Sequence, residues 1–206
     1  MTRRAVLFDI GGPVDMEFAW EIAVDGAIAA SCGMEGVRVD QAMVEEASDK
    51  AVAAFAEDTY GHMIETLCGD PVTVARVRHR VEAMTGQLDA FQLRPDIEGL
   101  LRKLRQLRQP PGLLLGARNC PWERLEREGL AELFIRDLDL PPADCVFVGD
   151  RLDRDIAPAR AAGMATIQFR TGRWRKQRPR SDAETPDEVV TDVAELEAAI
   201  VKLVQR

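Results

Sequence analysis

The sequence predicts an α/β protein: a doubly wound, parallel, Rossmann-like sheet with an all-helical insert after the first strand. Three observations predict it. Short continuous apolar runs, AVLF at 5–8, LLL at 113–115 and CVFV at 145–148, read as strands buried on both faces. Helical patterns alternate with these runs, which implies a parallel sheet. Residues 17–88 carry helix spacing and little β-branched alternation.

The first run ends in Asp9 and then Gly11-Gly12-Pro13, a turn that cannot continue a strand. Asp9 therefore falls at the carboxyl end of a first, central strand, the edge where open α/β sheets bind ligands. In the insert, Met43, Ala47, Ala51, Val52 and Phe55 keep helix spacing behind Asp40 as N-cap. Pro71 opens a further helix that runs through Met84 and ends at Gly86. Asp96 starts a helix through Leu107, with Leu100, Leu101, Leu104 and Leu107 on its inner face, and Pro110-Pro111-Gly112 breaks it before the second strand. Residues 122–134 read as one helix, 145–148 as the third strand ending in Gly149-Asp150, 155–162 as a helix closed by Gly163, and 165–169 as the fourth strand. Residues 188–190 make a short strand and 193–204 a last amphipathic helix. There is no internal repeat.

The net charge of −8 argues against a broad nucleic-acid surface, which needs a positive field. A local basic run, Arg170, Arg173, Arg175, Lys176, Arg178 and Arg180, reads as a solvated loop, with an anion contact as the second reading. Cys32, Cys68, Cys120 and Cys145 form no CxxC pair, and with only His62 and His79 beside them a zinc site lacks spaced ligands. Free thiols point to a reducing, cytoplasmic setting. The N-terminal apolar run is too short for a signal peptide, and no run approaches a membrane span.

Two segments carry the chemical signal: FDIGGPVD at 8–15 and VGDRLDRDI at 148–156. Each sets a carboxylate just past a buried strand, a position that also suits a helix N-cap. If the two strands are neighbours, Asp9, Asp150 and Asp155 converge on one crevice. Clustered carboxylates without histidine or thiol suit a hard cation, Mg²⁺ above all. Such a cation neutralises a phosphoryl group while a carboxylate attacks it.

In this order, with a helical insert between them, the two segments resemble the haloacid dehalogenase (HAD) superfamily. Its first motif is Asp-x-Asp-Gly-Thr and its fourth is Gly-Asp-x-x-x-x-Asp, complete here as Gly149, Asp150 and Asp155. LRPDIEGLLRKLR at 93–105, CVFVGDRLDRDIAPARAAGM at 145–164 and RTGRW at 170–174 are also similar to the family. The resemblance assigns 1–15 and 91–206 to the α/β core and 16–90 to a helical cap. It makes Asp9 the nucleophile that forms an aspartyl-phosphate. Asp9, the Gly11 main-chain carbonyl and Asp150 would hold Mg²⁺, with Asp155 supporting the metal.

The sequence departs from the family at four places. Gly11 stands where the acid/base aspartate belongs, and losing such an acid costs roughly 10²–10⁴ in rate. Leu115-Gly116-Ala117-Arg118 stands where a phosphoryl-binding Ser or Thr belongs, and residues 86–165 contain Thr and Ser nowhere. The charge-balancing Lys is missing between 104 and 175, leaving Arg118 as its candidate replacement, against a plain surface-arginine reading. One β–α unit is missing between Phe134 and Leu140, which would expose the second strand's edge and invite homodimer formation there.

Asp15 and Asp153 lie near the crevice in sequence, and Asp15 is a weak substitute for the lost acid. Cys120 has no neighbouring histidine to activate it and reads as a buried thiol. His62, His79, Trp20, Tyr60 and Phe55 read as surface or packing residues of the insert. Two functions fit: a Mg²⁺-dependent phosphatase acting on a small phosphorylated molecule, and a non-catalytic HAD-like binding or regulatory protein. A dehalogenase-like hydrolase is a third, opposed by the missing Lys.

Overall fold

In a computed structural model, which describes residues 4–86, 88, 90–107, 110–115, 122–127, 129–134 and 139–205, five strands form one parallel sheet. They are β1 (Ala5–Phe8), β2 (Gly112–Leu115), β3 (Cys145–Gly149), β4 (Ala165–Phe169) and β5 (Glu188–Val190), in the order β2-β1-β3-β4-β5. β1 is flanked on both sides, pairing Phe8 with Leu115 of β2 and with Val148 of β3. This register brings the carboxyl ends of β1 and β3 side by side, and the Asp9 N–H extends the ladder by donating to Val148 O at 2.8 Å. Ala5, Val6, Phe8, Val146, Val148, Ile167 and Phe169 are buried, as expected for strands covered on both faces. The two polar residues of β4 are also buried. The Gln168 amide donates to Asp150 O at 3.3 Å, and the Thr166 hydroxyl donates to the Asp187 carboxylate at 3.1 Å, so neither side chain is left unsatisfied.

The chain divides into two units: 1–16 with 93–171 and 178–206, and 17–92 with 172–177. The second is helical, with α1 (Phe18–Met34), α2 (Gln41–Ala53), α3 (Thr59–Cys68) and α4 (Pro71–Thr85). Aspartate caps start three of its helices. Asp40 accepts from Met43 N, Asp58 from Gly61 N, and Asp70 from Val72 N and Thr73 N, with Pro71 at the first turn of α4. Val24, Ile28, Val44, Ala47, Met63, Ile64 and Val77 form its core. Cys32 and Cys68, distant in sequence, meet there with sulfurs 3.6 Å apart as free thiols, and burial pushes the Cys32 thiol up to about 12.

The basic run is solvated only in part: Arg175, Lys176, Arg178 and Arg180 are exposed, but Arg173 is buried. Residues 172–177 fold into the helical unit, where Arg173 and Trp174 are buried and Lys176 pairs with Asp49 at 2.6 Å. Arg180, in the α/β unit, pairs with Glu184.

Around the sheet lie α5 (Ile97–Arg105), α6 (Trp122–Arg127), α7 (Ala157–Ala161) and α8 (Val193–Val204). α5 buries Ile97, Leu100, Leu101 and Leu104, and α8 buries Leu196, Ile200 and Leu203. The single helix expected over 122–134 is interrupted. Gly129 takes φ 68°, and only a 3₁₀ turn, Ala131–Leu133, follows. The helix expected from 155 begins earlier, with a π-helical turn over Leu152–Ile156 leading into α7. Among the described residues β2 is an end strand of the sheet. Residues 135–138 lie outside the described residues. None of the described helices is long and apolar enough to cross a membrane.

Candidate active site

Asp9, Asp150 and Asp155 come together at the carboxyl ends of β1 and β3. Each offers a carboxylate oxygen, and the three oxygens lie within 4.8 Å of one another. Local backbone chemistry fixes the arrangement. Leu152 and Ile156 are buried and pin the π-helical turn after β3. That turn carries Asp155 back over the strand end, where one oxygen of its carboxylate accepts from Asp150 N at 3.1 Å and Arg151 N at 2.8 Å. Gly149 makes room for this contact: a Cβ there would lie 2.5 Å from Asp155 Cβ. Gly12, at φ 79°, makes room on the other side, since a Cβ would lie 2.8 Å from Asp150 Oδ2. Gly11 sits in the same turn, bridged to Asp15.

The electrostatics follow from this crowding. Burial raises the Asp9 carboxyl above the usual range, against the Ile10 N–H and the Arg151 charge. Burial, then the charge of Asp9, pushes Asp155 up to about 7, against the N–H groups of Arg151 and Asp150 and the Arg151 charge. Asp150 is 3% exposed. Three oxygen donors held together, with Asp9 and Asp155 disfavoured as anions by burial and Asp155 also by the charge of Asp9, fit a hard divalent cation. Soft-metal donors do not occur in the cluster.

Sequence reasoning missed Arg151. Its side chain is 11% exposed and forks onto Asp153, Nε to Oδ1 at 3.2 Å and Nη2 to Oδ2 at 2.7 Å. So held, it is a fixed cation that lowers the pKa of both Asp9 and Asp155. Its signal in the sequence is its adjacency to Asp150. Arg118, the candidate for that cation, and Cys120 lie outside the described residues, as does the stretch 116–119 where the family's Ser or Thr belongs. Asp153 serves Arg151. His62, His79, Trp20, Tyr60 and Phe55 are all in the helical unit, where Tyr60 packs 5.3 Å from the Arg173 guanidinium. A cavity of about 900 Å³ lies elsewhere in the α/β unit, lined by Met16, Leu100, Phe169 and Val193 among others. Its Arg102 and Lys103 are already paired with Glu98 and Glu197, so the acidic trio is the stronger candidate.

Residues 127–196 match the HAD-hydrolase-like family. A glyceraldehyde 3-phosphate phosphatase from Methanopyrus kandleri is 32% identical over 120 residues, covering 45% of this chain and 50% of that protein. The match thus spans about half the length of that curated relative. A predicted phosphoglycolate phosphatase from Haemophilus somnus superposes with a TM-score of 0.66 at 16% identity, over 100% of this chain and 99% of that one. A magnesium-bound HAD-hydrolase from Bacillus subtilis gives 0.61 at 15% identity, over 97% and 99%. Residues 127–196 thus resemble the HAD-hydrolase-like family in sequence, and the whole chain has the fold of these two solved structures, a parallel Rossmann-like sheet with a helical unit.

Proposed function

We propose that the protein is a Mg²⁺-dependent phosphatase of a small phosphorylated molecule in the cytoplasm, with Asp9 as nucleophile. The convergence of Asp9, Asp150 and Asp155 carries this reading. The phosphatase relative supports the reaction class. Asp9, Asp150, Asp155 and the Gly11 carbonyl would hold Mg²⁺. When bound, the ion supplies charge neutralisation for the phosphoryl oxygens. An Asp9 oxygen attacks phosphorus, the bond to the leaving oxygen breaks, and water then hydrolyses the aspartyl-phosphate. Arg151 supplies a fixed positive charge that works against the rise of the Asp9 carboxyl. Gly11 offers no proton to the leaving group, so the leaving oxygen takes its proton from water.

Phosphate release from a phosphomonoester panel tests this. Wild type should turn over only with Mg²⁺, and Asp9→Asn should lose at least about a thousandfold, as removal of a nucleophile does. A folded wild type without turnover favours the second reading, a non-catalytic HAD-like binding protein, whose specific support is Gly11.

β2 at the end of the sheet further leads us to propose self-association through that edge. Sedimentation velocity at micromolar concentration should show a dimer; a monomer there refutes it.

A further inference from the structure

Gly12 occupies an unusual place. Its φ of 79° is one that other residues rarely adopt, and its α-carbon faces the buried Asp150 so closely that a side chain has no room. The turn 10–15 therefore has no side chain at its apex with which to anchor itself. It is anchored from outside, by Arg94. Arg94 Nε and Nη2 donate to the Gly12 carbonyl at 2.8 and 2.5 Å. Nη2 also donates to Thr171 Oγ1 at 2.9 Å, and the guanidinium lies 4.6 Å from the centre of the buried Phe169 ring. The Arg94 N–H donates to Val14 O at 2.8 Å, and Leu93 bridges Asp15. Side chain and backbone of one segment thus grip the turn at Gly12, Val14 and Asp15.

From this geometry we infer that Arg94 is a positioning residue for the acidic centre. It clamps the Gly12 carbonyl, which sets the Gly12–Pro13 peptide and, through the turn it belongs to, the spacing of Asp9 from Asp150. The planar fork is needed: one carbonyl takes two of its N–H groups while another reaches Thr171, and a lysine's single ammonium does not reproduce that pattern. The charge of Arg94 is not the point, since Arg151 is the cation that acts on Asp9 and Asp155. This role in metal binding rests on the reading of the trio as a Mg²⁺ site.

The test uses the full chain with Arg94→Met and Arg94→Lys. The first readout is hydrogen exchange of residues 9–15, which needs neither metal nor activity. Arg94→Met should exchange about tenfold faster there, with β3 and β4 unchanged, as for a local opening rather than global loss. The second is Mg²⁺ affinity by calorimetry, which should weaken about tenfold, as when an outer partner of a metal ligand is removed. Where wild type turns over, kcat should fall with KM held within about twofold, because the turn sets reacting geometry rather than substrate affinity. Arg94→Lys should restore part of each, and it carries the test if Arg94→Met fails to fold. Wild-type exchange at 9–15 in folded variants overturns the inference. Wild type that binds no Mg²⁺ instead overturns the metal-site reading, while the exchange result still decides the role of Arg94.

Discussion

Millimolar Mg²⁺ should raise the melting temperature of the protein by several degrees at pH ~8 and by much less at pH ~5.5. The reason lies in Asp155. Burial and the neighbouring Asp9 hold its carboxyl up to about 7 in the fold, whereas an unfolded chain titrates it near the ordinary value of 3.8. A group whose folded pKa is raised stabilises the fold fully below its unfolded pKa. That contribution is lost as pH rises from the unfolded value through the folded one. Without metal, ionising the crowded trio therefore costs stability, and the cost is complete above about pH 7. A divalent cation binds the ionised form and removes the repulsion; at low pH it must first displace a proton. At a hundred times its dissociation constant a ligand contributes about 2.7 kcal/mol. For a chain of this size that is a shift of roughly 5–10 °C. Asp155→Asn should separate the terms, since its carbonyl keeps accepting from the two backbone N–H groups. The metal-free variant should be at least as stable as wild type at pH ~8, and its Mg²⁺ response should largely vanish. Scanning calorimetry across pH, with and without the ion, reads all three. A Mg²⁺ response independent of pH in wild type would refute the assignment of the trio.

The parts of the fold legible in sequence were those whose signal is local. AVLF, CVFV and ATIQF are continuous apolar or β-prone runs, and each is a strand at the expected place. Asp40 and Pro71 announce helix starts by their own chemistry, because a carboxylate accepts from free N–H groups and proline lacks one. Asp9 and Asp150 follow strands directly, so the pairing of β1 with β3 suffices to bring them together. What stayed hidden depends on which side chain reaches which partner. Gly129 lies within an otherwise helical pattern, and its positive φ ends α6 early. Arg151 is one arginine among many until its fork is seen closed on Asp153. Arg94 carries no local signal, because its target is a carbonyl distant in sequence.

Arg173 is the clearest case of hidden structure, and removing it should destabilise the helical unit more than any other change in the basic run. In sequence it is indistinguishable from Arg175, which also flanks Trp174, and it differs from Arg178 and Arg180 only by that apolar neighbour. In the structure its side chain is 5% exposed. Nη2 donates to Asp25 at 2.8 Å, Nη1 to Ser48 Oγ at 2.5 Å, and its own backbone N–H to Glu21 at 2.7 Å. Burial raises the carboxyls of both Asp25 and Glu21; the Arg173 charge works against the rise at Asp25, and the Arg173 backbone N–H followed by its charge works against it at Glu21. Arg173→Met keeps much of the volume and removes the cation, leaving Asp25 and Ser48 without their donor. Breaking a buried pair from one side costs about 3–5 kcal/mol. Asp25 is 31% exposed, and water there can replace part of what is lost, which places the effect near ~2–3 kcal/mol. The melting temperature of the helical unit should fall by roughly 10–20 °C. Arg173→Lys should recover only part of it, because one ammonium cannot serve Asp25 and Ser48 in the same geometry. Arg105→Met, exposed in the last turn of α5 in the α/β unit, should leave that unit's melting within about 1 °C, as surface changes do. Calorimetry of the three variants, with exchange of residues 172–177 to locate the change, decides it. Equal melting of Arg173→Met and wild type would mean that the burial of this arginine contributes nothing to holding 172–177 in the helical unit.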